Sequence, residues 1–544
     1  MSDEDAKFTE ACRKLMDIVL SGEIEDKTLL NRKKLAICRE MSLQKLPRNS
    51  DIIAVAPPEL KEKVKALLRR KPVRTISGVA VIAVMTSPAP CPHGICVPCP
   101  GGPSSKFESP QSYMGQEPAA LRAINYDYDP YRIVNGRLSQ LEDIGHDVDK
   151  AELIIMGGTM PSRSLDYQEW FVRRCLEAMN DYRGKEWRES VFSRGQFVPL
   201  EQVQVANETA SVRNIGMTFE TRPDWATENE VDRMLQLGAT KVELGVQSVF
   251  DFVLSRIKRG HTVEDTVNAN RVLRDSGLKV GFHMMPRLPG SDNERDLRGF
   301  KKLFNDPGFM PDYLKIYPTL VTEGTELNKM WESGQYSPLY DDEAIELIAD
   351  LKAILPKWVR LQRIQRDIPA NQILAGVRKS NIRQLASEKL EEKGGTCRCI
   401  RCREVGHNML KGKEPVASDI ELMVESYKSC DGLEHFISFE DVNQDILIGF
   451  LRLRYPHNPH RKELEYSALV RELHVYGSLI PPGKDSRTGS WQHRGYGAEL
   501  LKTAEEMSRA AGYRELAIIS GIGAREYYRK FGYRLKGPYM SRLL

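Results

Sequence analysis

No stretch of the 544-residue chain approaches the ~18–20 consecutive apolar residues that a helix needs to cross a bilayer, so a spanning segment is excluded. Neither sign of charge is in excess. The 79 Lys+Arg against 75 Asp+Glu leave a formal net charge of +4, and that total names no partner. There is no internal repeat. The opening Met1-Ser2-Asp3-Glu4-Asp5 is acidic and lacks an apolar core, so it does not read as a secretory signal, and a cytoplasmic protein is expected. With 41% hydrophobic and 28% charged residues, the composition excludes collagen-like, low-complexity and disulfide-rich secreted chains. What is present is length, enough for roughly three or four domains at ~150 residues each.

The ten cysteines are spread unevenly. Cys91, Cys96 and Cys99 form one group and Cys397, Cys399 and Cys402 another, while Cys12, Cys38, Cys175 and Cys430 stand apart. In a reducing compartment tight groups read as metal or cluster ligands, and scattered cysteines as small buried apolar residues.

Four regions follow one another. Residues 1–74 combine helical apolar spacing with basic runs: Arg32, Lys33, Lys34, Arg39, Lys45 and Arg48, then Lys61, Lys63, Lys65, Arg69, Arg70, Lys71 and Arg74. Residues 75–368 alternate short β-type runs (Gly78–Met85, Glu152–Met156, Ile215–Glu220, Lys241–Val246, Lys279–Met285, Tyr313–Tyr317) with helical patterns such as Asp224–Leu237 and Val263–Ser276. That alternation predicts parallel βα units, and six of them favour a partial or full barrel over an open sheet. Working residues of such barrels lie at C-terminal strand ends, which here carry Gly157-Gly158-Thr159, Thr221-Arg222, Gln247-Ser248 and Pro286 onward. Residues 369–415 are a basic, cysteine-bearing connector. Residues 416–544 return to strands, with one clear helix from Ala498 to Ala511.

The segment Cys91-Pro-His-Gly-Ile-Cys96-Val-Pro-Cys99-Pro-Gly-Gly follows the first strand and would lie at the barrel mouth. Three thiolates on a short loop suit three irons of a four-iron four-sulfur (4Fe-4S) cluster, with the fourth iron free for a substrate or cofactor. Zinc, with His93 as a fourth ligand, is the other reading. In this barrel context the chain resembles radical S-adenosylmethionine (SAM) enzymes. That resemblance implies that the free iron chelates SAM, that SAM cleavage yields a 5′-deoxyadenosyl radical, and that Gly157, Gly158 and Thr159 form the turn near the SAM amino group.

Gln492-His493-Arg494-Gly495-Tyr496-Gly497 precedes a helix that buries Leu500, Leu501, Ala504 and Met507. A glycine turn at a helix N-terminus offers free N–H groups to an anion such as a pyrophosphate. With Ile518-Ile519-Ser520-Gly521 and Ala524–Tyr533, the order of these pieces resembles the Gcn5-related acetyltransferase fold, and it implies CoA binding at Gln492, Arg494, Gly495, Tyr496 and Gly497. Tyr527 and Tyr528 fall in the late helix, where a tyrosine either meets the acyl-CoA sulfur or packs in the core.

Longer stretches carry a closer resemblance. They are Cys96–Pro103, Gln111–Pro118, Met217–Asp224, Lys241–Ser248, Gly281–Pro286, Leu314–Val321, Arg471–Gly477 and Glu526–Tyr533. From about Thr75 through Leu544 the sequence resembles the family of the catalytic subunit of the Elongator complex, in the single-subunit form of archaea and some bacteria. The shorter Cys91-x4-Cys96 loop departs from that family's wider spacing and lies nearer the common radical SAM spacing. The fold implied is α/β: a partial TIM-like (β/α)6 radical SAM barrel joined to a Gcn5-related N-acetyltransferase domain, with a helical basic N-terminal region. The activity implied is transfer of a carboxymethyl group to carbon 5 of the wobble uridine of tRNA, with acetyl-CoA as carbon source. The deoxyadenosyl radical would take hydrogen from the acetyl methyl, the carbon radical would add to the uridine, and the thioester would be hydrolysed. The resemblance further implies that Cys91, Cys96 and Cys99 hold the cluster and that Leu473, His474 and Val475 offer strand backbone to the pantetheine arm. Tyr527 and Tyr528 would sit at the thioester, and Lys315 and Tyr317 would face the radical site with Glu220. A lysine at an apolar strand end is costly to bury unpaired, so Lys315 needs a ligand or an acidic partner. Glu220 and Arg222 read equally as a structural pair.

Cys397-Arg-Cys399-Ile-Arg-Cys402 reads as a structural zinc site, with His407 one candidate for the fourth ligand and free thiols the alternative. Around it Arg378, Lys379, Arg383, Lys389, Lys393, Arg398, Arg401 and Arg403, with the N-terminal run, would make a positive path for the anticodon stem-loop of tRNA, or simply solvated faces. A homodimer and accessory subunits stay open as partners; neither membrane nor DNA is expected. Two other functions remain: a protein lysine acetyltransferase with a structural cluster, and a non-catalytic RNA-binding scaffold.

Overall fold

The computed structural model describes residues 3–24, 27–43, 45–68, 78–182, 198–476 and 495–544. Four helices, Asp3–Leu20, Lys27–Glu40, Asn49–Ala54 and Pro58–Leu68, open the chain. Ala11, Leu15 and Val19 recur every four residues on the first of them and close a small core with Leu30, Ile37, Ile52 and Val64. Arg69, Arg70, Lys71 and Arg74 of the expected basic run lie outside the described residues.

The next strands are β1 (Ala80–Met85), β2 (Lys150–Met156), β3 (Arg213–Thr221), β4 (Lys241–Gln247), β5 (Lys279–Met284), β6 (Tyr313–Ile316), β7 (Val321–Thr322), β8 (Arg360–Ile364) and β9 (Ile373–Ala375). Seven of them form one parallel sheet in the order β1-β2-β3-β4-β5-β6-β8, in which β1 and β8 are not neighbours, so the barrel is partial. Strand β4 is buried from Lys241 to Val246, as a parallel strand covered on both faces must be. All six expected strands are present. The seventh, β8, was not expected: its Arg-Leu-Gln-Arg-Ile is polar because its side chains meet charges from elsewhere in the fold. Arg360, for example, pairs with Glu404 at 2.6 Å.

The second sheet is built from β10 (Ile420–Ser429), β11 (Gly432–Asp441), β12 (Ile446–Tyr455), β13 (Ser467–Val475), β14 (Glu515–Ile519), β15 (Arg534–Lys536) and β16 (Tyr539–Leu543), ordered β10-β11-β12-β13-β14-β16-β15. Its first four strands form an antiparallel meander, while β13 and β14 run parallel. Their pairing stops at Val470↔Ile518, so Arg471–Val475 of β13 continue beyond the last β14 partner and the two strands part.

The two sheets are fused through buried charge. Arg471 bonds Asp312 at 2.7 Å and Glu434 at 2.8 Å, Arg274 reaches Glu434 at 3.0 Å, and Arg454 joins Glu434 at 2.9 Å to Asp275 at 2.6 Å. Each of these groups is almost wholly buried, so removal of one member strands the others. Backbone also meets backbone: a Cβ added at Gly521, just past β14, would overlap the Ile215 carbonyl of β3. Of the scattered cysteines, Cys12, Cys175 and Cys430 are buried as expected, whereas Cys38 is half-exposed.

Candidate active site

The loop after β1 carries the first cysteine group to the C-terminal end of the barrel. Cys91 Sγ lies 3.9 Å from Thr159 Oγ1, Gln111 Nε2 donates to Cys99 Sγ at 3.3 Å, and Arg259 Nη1 donates to Cys96 Sγ at 3.6 Å. Burial pushes the Cys91 thiol up to about 11 and Cys96 up as well, with Arg259 opposing the rise at Cys96. His93 Nε2 sits 3.0 Å from Cys96 Sγ.

The glycine turn is what brings Thr159 to Cys91. Gly157 has φ +117°, and a Cβ there would meet Thr86 Oγ1 at 2.5 Å, so only glycine lets the turn lie against the end of β1. Thr86 Oγ1 donates to the Gly157 carbonyl at 2.8 Å.

Around the cysteines several buried polar atoms have no hydrogen-bond partner: His93 Nδ1, Arg222 Nη1, Gln247 Oε1, Arg259 Nε and both nitrogens of His261. Such atoms cost about 1–3 kcal/mol each. Their concentration beside three thiols fits a site built for a charged, many-atom group, as an iron–sulfur cluster with its SAM ligand would be. Burial, then Arg259 and Arg222, keep the His261 imidazole neutral down to about 2.

The cysteine loop opens into a cavity of 1280 Å³ lined by Cys91, Gly158, Thr159, Glu220, Lys315 and Tyr317, among others. On its floor Lys315 Nζ is 3.1 Å from Glu220 and contacts Glu243, which also accepts from His283 at 2.9 Å. Burial opposes the Lys315 charge, but Glu243, Tyr317 and Glu220 outweigh it and hold the ammonium well above its ordinary range. Lys315 is therefore ion-paired and cavity-lining at once. Glu220, Glu243 and His283 also cluster as metal ligands would, but the Lys315 ammonium already supplies the cation. Glu220 and Arg222 do not pair with each other: Arg222 turns to Asp224 at 2.8 and 2.7 Å, while Glu220 accepts from Tyr113 Oη at 3.2 Å. Tyr113, Arg259, Arg363 and Arg366 also line this cavity and were missed in the sequence. Tyr113 lies inside a stretch that carries the family resemblance, which was its only signal.

In the second sheet Gly495, at φ +83°, caps the helix Tyr496–Ala510. A Cβ added at Gly497 would lie 2.8 Å from Tyr527 Oη and 3.7 Å from Val475 Cγ2, so the glycine turn, Tyr527 and the far end of β13 meet. The Tyr496 ring packs 4.7 Å from Phe439. Tyr527 is 38% exposed, whereas Tyr528 is 7% exposed and packs its ring toward Tyr533 at 6.3 Å. Burial, then Tyr527 and Glu472, push the Tyr528 phenol up. Leu473, His474 and Val475 all lie on the part of β13 that has left β14. Gln492 and Arg494 fall outside the described residues.

The sulfurs of Cys397, Cys399 and Cys402 lie within 4.8 Å of one another. Hydrogen bonds from Cys397 and Cys402 lower the Cys399 thiol, while those two thiols are themselves raised, so the three share their protons as one cluster. His407 is not part of that cluster: its Nε2 pairs with Glu404 at 2.9 Å. Much of the connector's positive charge is neutralised, with Lys379 on Asp342, Lys389 on Glu346, Lys393 on Glu346 and Asp350, and Arg398 and Arg403 on Asp445. A wholly free positive path does not exist there.

Family models match the chain in four places: the ELP3 N-terminal domain over residues 8–76, the Radical SAM superfamily over 91–300, the Radical_SAM C-terminal domain over 311–392, and the acetyltransferase (GNAT) family over 407–533. A tRNA uridine(34) acetyltransferase of Methanocaldococcus infernus is 52% identical over 502 residues, 92% of each chain. Elongator complex protein 3 of Homo sapiens is 42% identical over 525 residues, 95% of this chain and 93% of that one. The solved structure of the Methanocaldococcus infernus Elp3 lacking residues 1–46 superposes with a TM-score of 0.75 at 48% identity, covering 86% of this chain and 100% of that one.

Proposed function

The chain belongs to the family of tRNA uridine(34) acetyltransferases and Elongator complex protein 3, and on that premise we propose that it adds a carboxymethyl group to carbon 5 of the wobble uridine of tRNA, with acetyl-CoA as carbon source. The observation that carries this reading is the single cavity shared by Cys91, Gly158 and Thr159 at one wall and Lys315, Tyr317 and Glu220 at another. Cys91, Cys96 and Cys99 would hold a 4Fe-4S cluster with SAM, which together supply a carbon-centred radical when reduced. The chain's own residues do the rest. Arg259 places a cation at the cysteine sulfur, Lys315 and Tyr317 orient the substrate, and the glycine turn at Gly495 and Gly497 binds the CoA pyrophosphate. Leu473, His474 and Val475 offer strand backbone to the pantetheine arm, while Tyr528 borders the thioester. Cys397, Cys399 and Cys402 would hold a structural zinc. The polar cavity admits a splayed-out nucleotide of the anticodon loop, in keeping with how RNA is read.

A protein lysine acetyltransferase would need an open acceptor side, and here the end of β14 is packed on β3 through Gly521. No helix among the described residues is long and apolar enough to cross a membrane, which accords with a cytoplasmic tRNA enzyme. The test is anaerobic incubation of reconstituted protein with SAM, reductant, acetyl-CoA and tRNA, followed by nucleoside mass spectrometry. The reading requires 5-carboxymethyluridine; acetyl-lysine on an added protein without that nucleoside overturns it.

A further inference from the structure

The parting of β13 from β14 has two faces. On one, Val475 points toward Gly497 at the N-terminus of the helix Tyr496–Ala510, where the pyrophosphate reading places the CoA diphosphate. On the other, alternation sends Glu472, His474 and Tyr476 toward the N-terminal, closed end of the barrel. Tyr313 at the start of β6 donates its hydroxyl to Glu472, whose other oxygen takes Arg452 Nε at 2.9 Å, and Arg360 at the start of β8 donates to Tyr476 Oη at 2.9 Å. His474 Nε2 is buried there without a hydrogen-bond partner. An arm that enters from the helix side and passes between the strands would therefore end against the barrel, where the Tyr313 hydroxyl meets Glu472.

We propose that Tyr313, a residue of the barrel, completes the acyl-end subsite of the CoA cleft by donating its hydroxyl to the thioester carbonyl of acetyl-CoA. This rests on the CoA reading above and adds to it a shared residue between the two centres. In the ligand-free arrangement Glu472 accepts the same hydrogen bond and holds the phenol in place. Burial alone would raise the Glu472 carboxyl, but Arg452 and Lys279 keep it below its usual range, while burial beside that carboxylate pushes the Tyr313 phenol well up. The proton thus stays on Tyr313, available to an acyl oxygen. The ring is held from the barrel side by Lys241, whose Nζ stands 4.8 Å from its centroid and which bonds Glu152 at 3.1 Å and Glu243 at 3.4 Å. Glu243 in turn contacts Lys315, so the acyl subsite and the radical cavity share one chain of contacts.

The experiment compares, by titration calorimetry on the full chain, free CoA with the non-hydrolysable ketone analogue of acetyl-CoA. Wild type should prefer the ketone about tenfold. Tyr313→Phe should bind free CoA as wild type does and lose the preference, whereas Glu472→Gln, which frees the phenol from its charged acceptor, should keep or increase it. A Tyr313→Phe protein with the preference intact overturns the proposal, as does a Glu472→Gln protein that loses it. Wild type that binds CoA without preference sinks this inference alone, and wild type that binds no CoA sinks the CoA reading itself.

Discussion

The two cysteine groups have the same three sulfurs and opposite surroundings. Cys397, Cys399 and Cys402 gather within 4.8 Å and polarise one another. Cys91, Cys96 and Cys99 form no such tight knot; Cys91 borders the large cavity, and the group is ringed by orphaned polar atoms of His93, Arg222, Gln247, Arg259 and His261. A closed knot of thiols suits a small ion that serves the fold. A looser triad facing open space suits a larger group that must leave one corner for another molecule. The second interval, two residues, is the same in both and the first is four residues against one; the neighbours differ more.

The sharpest break of that comparison is a pair of serines. Cys96→Ser should abolish bound iron and all 5′-deoxyadenosine formation from SAM, with the far-ultraviolet spectrum unchanged. Cys399→Ser should keep both and lower the melting temperature instead. Iron retained by Cys96→Ser, read by absorbance and metal analysis, would erase the distinction. Next in size is Lys315→Met. Glu243 would stay buried with Lys241 and His283 but without its nearest cation, and breaking a buried pair costs about 3–5 kcal/mol. The denaturation midpoint should fall accordingly while iron content holds, and carboxymethyluridine should disappear. A variant of unchanged stability would mean that the cavity floor is wetter than its burial implies.

The six barrel strands were legible because parallel strands are apolar runs between helical segments, as Glu152–Met156 and Lys241–Val246 are. Strand β8 was not, since Arg360 answers to an acid and a hydroxyl supplied from far along the chain, Glu404 and Tyr476. Lys315 was legible as a lone lysine at an apolar strand end, and its partners Glu220 and Glu243 are the acids that burial demands. Arg259 and Tyr113 carried no local signal, because what makes them site residues is the approach of Cys96 and Glu220 across the barrel. The pairing of much of the connector's basic run was hidden for the same reason. Its counter-charges Asp342, Glu346, Asp350 and Asp445 sit elsewhere in sequence and close by in space.

A chelator separates the two groups in the next range of effect. Zinc at Cys397, Cys399 and Cys402 would tie a short segment to the barrel edge, where Ile400 N donates to the Val359 carbonyl at 2.9 Å. Stripping it should lower the melting temperature by several degrees, as expected when a ligand of the native state is removed. 5′-Deoxyadenosine formation below that temperature should persist. Loss of radical chemistry at unchanged iron content would instead make the second group part of the active centre.

The smallest effect asks whether the second group also faces RNA. Lys393 is committed to Glu346 and Asp350, both at 2.6 Å, and exposed pairs of this kind contribute at most about 1 kcal/mol. Arg401, between Cys399 and Cys402, has no ion-pair partner among the described residues. If the knot serves only the fold, Arg401→Gln should bind tRNA with the salt dependence of wild type. If the knot aims Arg401 at a phosphate, the variant should reduce the log–log salt slope by about 0.7–0.9, one counterion's worth, while Lys393→Gln leaves it alone. We expect the second result. The guanidinium is half-buried, and burial lowers its pKa. Glu404 is the one acid acting on that charge and forms no ion pair with it among the described residues, so the guanidinium is left to meet an anion from outside, and filter binding across a salt series distinguishes the two outcomes.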